Sequence, residues 1–167
     1  MQQKLKRSTV IIYSSARKNG NTQAHVNSFA EQNDVRIICL DDYKIAPYCY
    51  NKNYKSDDFY AVFEALLKYD HWVFASPVYW YSTTVQMKLF IDRITDYMDD
   101  EALKPKLRTL RSKHFSVLSN ASSSEAPACF VEQFKNTFSY LGMQFINHHH
   151  KSTQKVAQIA AFFGCLW

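Results

Sequence analysis

The chain has 167 residues, of which 47% are hydrophobic and 21% charged, with a formal net charge of +5. That balance excludes a disordered chain, and no stretch approaches the roughly 20 apolar residues of a membrane span, so one soluble domain covering residues 1–167 is expected. The basic residues are dispersed rather than clustered, so neither nucleic acid nor a membrane surface is an expected partner.

Taken in chain order, short β-rich apolar runs alternate with helical patterns. The first predicted strand is 9–14, too short an apolar run for a signal peptide. A small, polar loop follows at 14–22, and a second strand at 35–40. Phe59, Val62, Phe63, Leu66 and Leu67 recur at helical spacing before a third strand at 71–75. The loop Pro77, Val78, Tyr79, Trp80 then leads into a helix striped by Met87, Phe90, Ile91, Ile94 and Met98. Asp99, Asp100 and Glu101 mark its end, and the basic stretch from Lys104 to Lys113 reads as a solvated connection. A fourth strand at 115–119 runs into a serine-rich loop at 119–124, after which Pro127 opens a helix carrying Phe130, Phe134, Phe138 and Leu141. The fifth strand is 143–147; His148, His149 and His150 follow it as a solvated turn rather than a metal site, and a last helix is expected over 151–162. The aromatic stripes are read as core. This alternation predicts an α/β, three-layer, doubly wound fold around a five-stranded parallel sheet of order 2-1-3-4-5. The cysteines (39, 49, 129 and 165) show no zinc or disulfide spacing, so a reduced, cytoplasmic protein is expected, with no metal.

In such a sheet the loops after strands 1, 3 and 4 meet on one side of the switch point, where ligands bind. The first offers hydroxyls from Ser15 and Thr22, the fork of Arg17, and a helix start that Asn21 or Thr22 can cap. An ordinary polar loop with a helix cap would look the same taken alone. It matches neither the Gly-Lys-Ser/Thr triphosphate loop nor the three-glycine dinucleotide fingerprint. The second loop is flat and apolar, and the third, Ser119, Asn120, Ala121 and the serines beyond, is small and polar. A phosphate tail, a planar ring and donors for the ring's polar edge together suit FMN.

The same residues resemble a known family. Ser15-Ala16-Arg17-Lys18-Asn19-Gly20-Asn21-Thr22 is similar to the phosphate loop of the flavodoxin-like, NAD(P)H-dependent FMN reductase and quinone reductase family. Ser76-Pro77-Val78-Tyr79-Trp80, with Gln86, Lys88, Phe90, Ile91, Asp92 and Arg93, resembles its flavin loop and following helix, and Asp57 and Asp58 match a paired Asp opening helix 2. Tyr81 and Ser14 stand where glycines are common, and Cys49 is alone where related iron–sulfur flavoproteins carry a cysteine cluster, so no such cluster is expected. The resemblance implies phosphate contacts from Ser15, Arg17, Asn21 and Thr22. It implies isoalloxazine contacts from Pro77, Val78, Tyr79 and Trp80, mostly through backbone atoms, with Ser119, Asn120 and Ala121 bordering the ring. It further implies an FMN-dependent oxidoreductase, using NADPH or NADH transiently, that passes a hydride through flavin N5 to a small-molecule electron acceptor: a quinone, flavin, nitro or azo compound. No side chain is expected to act as a catalytic acid or base, because the flavin carries the chemistry. A homodimer or homotetramer is expected, with Trp80 and Tyr81 near the interface. Two other readings stay open: a non-catalytic electron carrier like flavodoxin, although such carriers are typically acidic, and a domain of this fold that binds no FMN.

Overall fold

Residues 9–13, Thr-Val-Ile-Ile-Tyr in sequence, are buried on both faces, as a central parallel strand requires. In the computed structural model, which describes residues 8–31, 35–52, 54 and 56–153, they form β1 (Thr9–Tyr13). It is flanked by β2 (Val35–Cys39) and β3 (His71–Pro77); β4 (His114–Ala121) and β5 (Gln144–Ser152) complete a parallel sheet ordered β2-β1-β3-β4-β5. This is the expected order, and it places a switch point between β1 and β3.

Successive strand residues face opposite sides, and the two sides are covered differently. Val10, Ile12, Trp72, Phe74, Phe115 and Val117 pack with α2 (Phe59–Leu66), α3 (Val85–Arg93) and α6 (Ala128–Tyr140). Ile11, Tyr13, Val73, Ala75 and Leu118 pack with Val26 and Phe29 of α1 (Asn21–Glu31). The three aromatic stripes are core, as expected: Phe74 stacks on Phe138 with ring centroids 4.1 Å apart. α6 stops at Gly142, whose φ of +91° lets Met143 N–H reach the Phe138 carbonyl at 2.9 Å.

Four expectations need correction. The stripe from Met87 to Met98 is not one helix but α3 and a short α4 (Thr95–Met98), which meet at Ile94. The basic stretch is not a solvated connection: it contains α5 (Lys104–Arg108) and a 3₁₀ turn (Thr109–Ser112) that bury Leu107 and Leu110. Lys113 is buried too, its Nζ donating to the Leu67 and Tyr69 carbonyls at 2.8 Å, and desolvation lowers its pKa. β5 continues through the three histidines to Ser152, so Lys151 and Ser152 are strand where a helix was expected; the remainder of that expected helix, 154–162, lies outside the described residues.

Arg93, at the end of α3, organises the segment between β2 and α2. It is fully buried, its Nε donating to Asp96 at 2.8 Å and its Nη1 to Asp57 and to the Ala46 carbonyl. The guanidinium lies 3.4 Å from the Tyr54 ring centroid, and the Tyr54 hydroxyl donates to Asp96 at 3.0 Å. Burial raises the Asp57 pKa, but hydrogen bonds from Arg93 and the Ala46 amide outweigh it and hold the carboxyl below its ordinary value. Cys49 lies within this segment, its amide donating to the Tyr54 hydroxyl at 3.1 Å.

Candidate active site

The carboxyl ends of β1, β3 and β4 carry the three loops singled out in the sequence. The first leaves β1 at Ser14 and enters α1, whose first internal bond runs from Ala24 N–H to the Gly20 carbonyl at 3.0 Å. The amides at the start of α1 therefore lie outside the helical ladder and face the loop as an anion-binding end. Gly20 is small for a reason: a Cβ there would come 3.1 Å from the Arg17 carbonyl and 3.3 Å from Arg17 Nε. Lys18 is directed elsewhere, into an exposed ion pair with Asp42 at 3.0 Å.

Asp41 pins the loop from beneath. Its carboxylate accepts from the Ser15 amide at 2.8 Å and from Ser14 Oγ at 3.1 Å, while Thr84 Oγ1 donates to Ser14 Oγ at 2.6 Å. Thr84 also caps α3 by accepting from Met87 N–H. One chain of hydroxyls thus joins the loops after β1 and β3. Ser15's amide is taken by Asp41 and its hydroxyl donates to the Arg17 carbonyl at 3.4 Å, so a phosphate there would have to draw that hydroxyl away from a long bond.

The loop after β3 is a tight turn. Tyr79 and Ser82 exchange backbone hydrogen bonds of 2.9 and 3.0 Å across Trp80 and Tyr81, whose φ values are +47° and +67°. Two successive left-handed residues make this a mirror-image turn, which normally selects Asn and Gly. Tyr81 therefore occupies a glycine-type conformation at the position where the sequence departs from the family pattern. Ser76 closes the base of the turn, accepting from Thr83 Oγ1 at 2.9 Å and from Thr84 N–H at 3.2 Å. The Val78 amide donates to the Asn120 carbonyl at 2.9 Å, which joins this turn to the end of β4. With Val78 and Tyr79 amides engaged, the Trp80 and Tyr81 amides are the donors this turn keeps in reserve.

A cleft of about 240 Å³ opens where the three meet, lined by Ser15, Arg17, Asn21 and Thr22, by Pro77, Val78 and Tyr79, and by Asn120 and Ala121. Nine of the eleven residues picked out from the sequence share this one cavity. Ser119 does not line it: it is fully buried within β4, its hydroxyl engaged by His148 and His150. Trp80 does not either, being 93% exposed at the tip of its turn. Pro77 and residues 119–121 belong to strands rather than to loops, because β3 and β4 pair as far as Pro77 and Asn120.

Gly20, Ser122 and Thr153 also line the cleft and were not singled out. Gly20 and Ser122 lay inside the quoted loops; Thr153 gave no signal, because its place depends on β5 running on beside β4. Its amide donates to the Ala121 carbonyl at 2.7 Å. Within the cleft wall Asn120 is 94% buried, yet its Oδ1 has no hydrogen-bond partner. A buried polar atom left unpaired costs roughly 1–3 kcal/mol, which makes Asn120 Oδ1 an acceptor open to a ligand donor. An anion end, a flat apolar wall and this unpaired amide fit a ligand with a phosphate tail and a polar-edged ring. Among the described residues no cluster of His, Cys, Asp or Glu is arranged to hold a metal ion.

Comparison with known proteins agrees with this geometry. A family model described as NADPH-dependent FMN reductase matches residues 8–158. The putative NAD(P)H-dependent FMN-containing oxidoreductase YwqN of Bacillus subtilis is 26% identical over 145 residues, covering 81% of this chain and 79% of that protein. Among solved structures, the Trp repressor binding protein from Bacillus subtilis superposes with a TM-score of 0.72 at 20% identity, covering 92% of this chain and 90% of that one. RosB, solved with 8-demethyl-8-formylriboflavin-5'-phosphate, gives 0.65 at 13% identity, covering 89% and 67%. FerB, an NAD(P)H:(acceptor) oxidoreductase from Paracoccus denitrificans, gives 0.63 at 12% identity, covering 89% and 77%. These structural likenesses share the flavodoxin-like fold.

Proposed function

The chain belongs to the NADPH-dependent FMN reductase family, and from that membership we infer that it reduces a small-molecule electron acceptor, a quinone, flavin, nitro or azo compound, at the expense of NADPH or NADH. It is an FMN-using oxidoreductase. FMN held there would supply the hydride chemistry between the nicotinamide and the acceptor. The protein's part is to hold, orient and shield.

The observation that carries this reading is the single cleft built from the ends of β1, β3 and β4. The first turn of α1, with Arg17 and the hydroxyls of Ser15 and Thr22, supports phosphate binding there. Pro77, Val78 and Tyr79 offer a flat wall for the ring, and Asn120, buried and unpaired, offers an amide to its polar edge. No acid or base is assigned: among the described residues, those lining the cleft include no His, Asp, Glu, Lys or Cys. Residues 1–167 are taken as one FMN-binding domain. A homodimer or homotetramer is supported by Trp80 and Tyr81, both exposed beside the cleft, and a reducing cytoplasm by the free thiols of Cys39, Cys49 and Cys129.

The test is anaerobic addition of NADPH, then NADH, to FMN-loaded protein, followed by each acceptor class. Bleaching of the flavin bands by one nicotinamide, and their return with a quinone, nitro, azo or flavin acceptor, is the expected result. Bound flavin that neither nicotinamide bleaches would overturn it in favour of an electron carrier.

A further inference from the structure

The consecutive histidines of β5 lie beside the loop that borders the cleft, and their hydrogen bonds have a direction. His148 and His150 share one face of the strand. Ser119 Oγ lies 2.7 Å from His148 Nε2 and 2.8 Å from His150 Nδ1, and His150 Nε2 lies 3.1 Å from the Ser123 carbonyl. A carbonyl only accepts, so His150 carries its hydrogen on Nε2 and, when neutral, accepts Ser119 Oγ–H at Nδ1. Ser119 has one hydrogen to give, so His148 Nε2–H must donate to its oxygen. The chain runs His148 to Ser119 to His150 to Ser123, with every donor used.

One added proton can be absorbed. If His150 is charged, its Nδ1–H donates to Ser119 Oγ, whose own hydrogen turns to His148 Nε2, the His148 hydrogen having moved to Nδ1. A second proton cannot be absorbed: it strands the fully buried Ser119 O–H without an acceptor and sets two cations with ring centres 6.3 Å apart. The surroundings are themselves basic, with Lys135 on α6, His149 and Lys151 on β5 and His25 on α1; Lys135 is itself bonded to Glu132. Burial first, then His150, His149 and Lys135, lower the His148 pKa and favour its neutral form.

The loop held at Ser123 is continuous with Asn120, Ala121 and Ser122, which line the cleft, and the Asn120 carbonyl anchors Val78 of the facing turn. We propose that the His148–Ser119–His150–Ser123 chain is a proton-sensitive latch, with His150 as its positioning residue, that holds this loop on the flavin cleft and lets go when both histidines are protonated. The latch rests on the reading of the cleft as the FMN site. Gln at position 150 keeps one acceptor and one donor but cannot titrate, which separates protonation from mere packing.

The experiment measures FMN affinity by fluorescence titration from about pH 7.5 to 5.5 for the wild type, His150→Gln and His150→Ala, with ¹⁵N shifts of the wild-type histidine rings and amide exchange over residues 119–125. The FMN phosphate titrates near pH 6 in every variant, so the readout is the difference between variants. Wild-type affinity should fall about tenfold more than that of His150→Gln across this range, and His150→Ala should bind weakly throughout. Both rings should be neutral and protonated on Nε2 at the upper pH. Parallel pH curves for wild type and His150→Gln, or His150 protonated on Nδ1 at the upper pH, would overturn the latch while leaving the FMN site intact. If no variant binds FMN, the reading of the cleft fails, and the latch is decided by exchange alone. Protection that falls on acidification in the wild type but not in His150→Gln, once the intrinsic pH dependence of amide exchange is divided out, supports it, and equal protection overturns it.

Discussion

Arg93 lies wholly buried between Asp57 and Asp96 with its guanidinium against the Tyr54 ring, whereas Arg17 stands on an exposed loop at the rim of the cleft. Both belong to the motifs that carry the family resemblance. Arg93 Nε and Nη1 donate to protein groups and two carboxylates balance its charge inside the fold, although its buried Nη2 has no hydrogen-bond partner among the described residues. Among the described residues no carboxylate pairs with Arg17, and the acid nearest its loop, Asp41, is occupied with Ser14 and Ser15. A motif residue is thus placed as structural or ligand-facing by what already satisfies it, which spacing alone does not reveal.

The difference can be broken by substitution. Arg93→Ala leaves two carboxylates buried without their cation and should cost about 3–5 kcal/mol, read as a lower urea midpoint. Arg17→Ala should leave the urea midpoint of the FMN-free protein unchanged but weaken FMN binding about 10- to 100-fold, the loss of about 1.5–3 kcal/mol from charge-assisted hydrogen bonds. Equal effects on stability would erase the contrast. Tyr81→Gly tests the turn between them: relieving a left-handed φ of +67° should stabilise the protein by about 1 kcal/mol in the same urea assay.

The smallest expected effect is on pH dependence. Asp57 has its pKa depressed in the folded state, so its contribution is complete above its ordinary value near 4 and is lost as pH falls below that. Urea midpoints measured down to about pH 3 should therefore fall more steeply for the wild type than for Arg93→Ala, in which the largest source of the depression is gone.

The buried centre of the fold was readable because a parallel strand covered on both sides is written as an apolar run: β1 ends within a residue of expectation and β3 begins at His71 as expected. The edge strand β5 was not, because its exposed face accepts Asn, His and Lys, so its last five residues resemble a turn and a helix start. The same cause hid Thr153 and misplaced Ser119. Ser119 is a polar residue in a central strand, and its two histidine partners, 29 and 31 residues away, make that burial tolerable. Nine cleft residues were legible because helix-start chemistry and a proline-aromatic turn are local signals. Arg93 was legible as a motif but not as a buried ion pair, since Asp57 and Asp96 reach it from two different segments.

The central claim is that the ends of β1, β3 and β4 form one FMN site. It is tested most directly by titrating the purified wild-type protein with FMN and following flavin fluorescence. Saturable quenching at one FMN per chain, competed by riboflavin only weakly because riboflavin lacks the phosphate that Arg17 and α1 would hold, is the predicted result. No quenching, or equal competition by riboflavin, would contradict it.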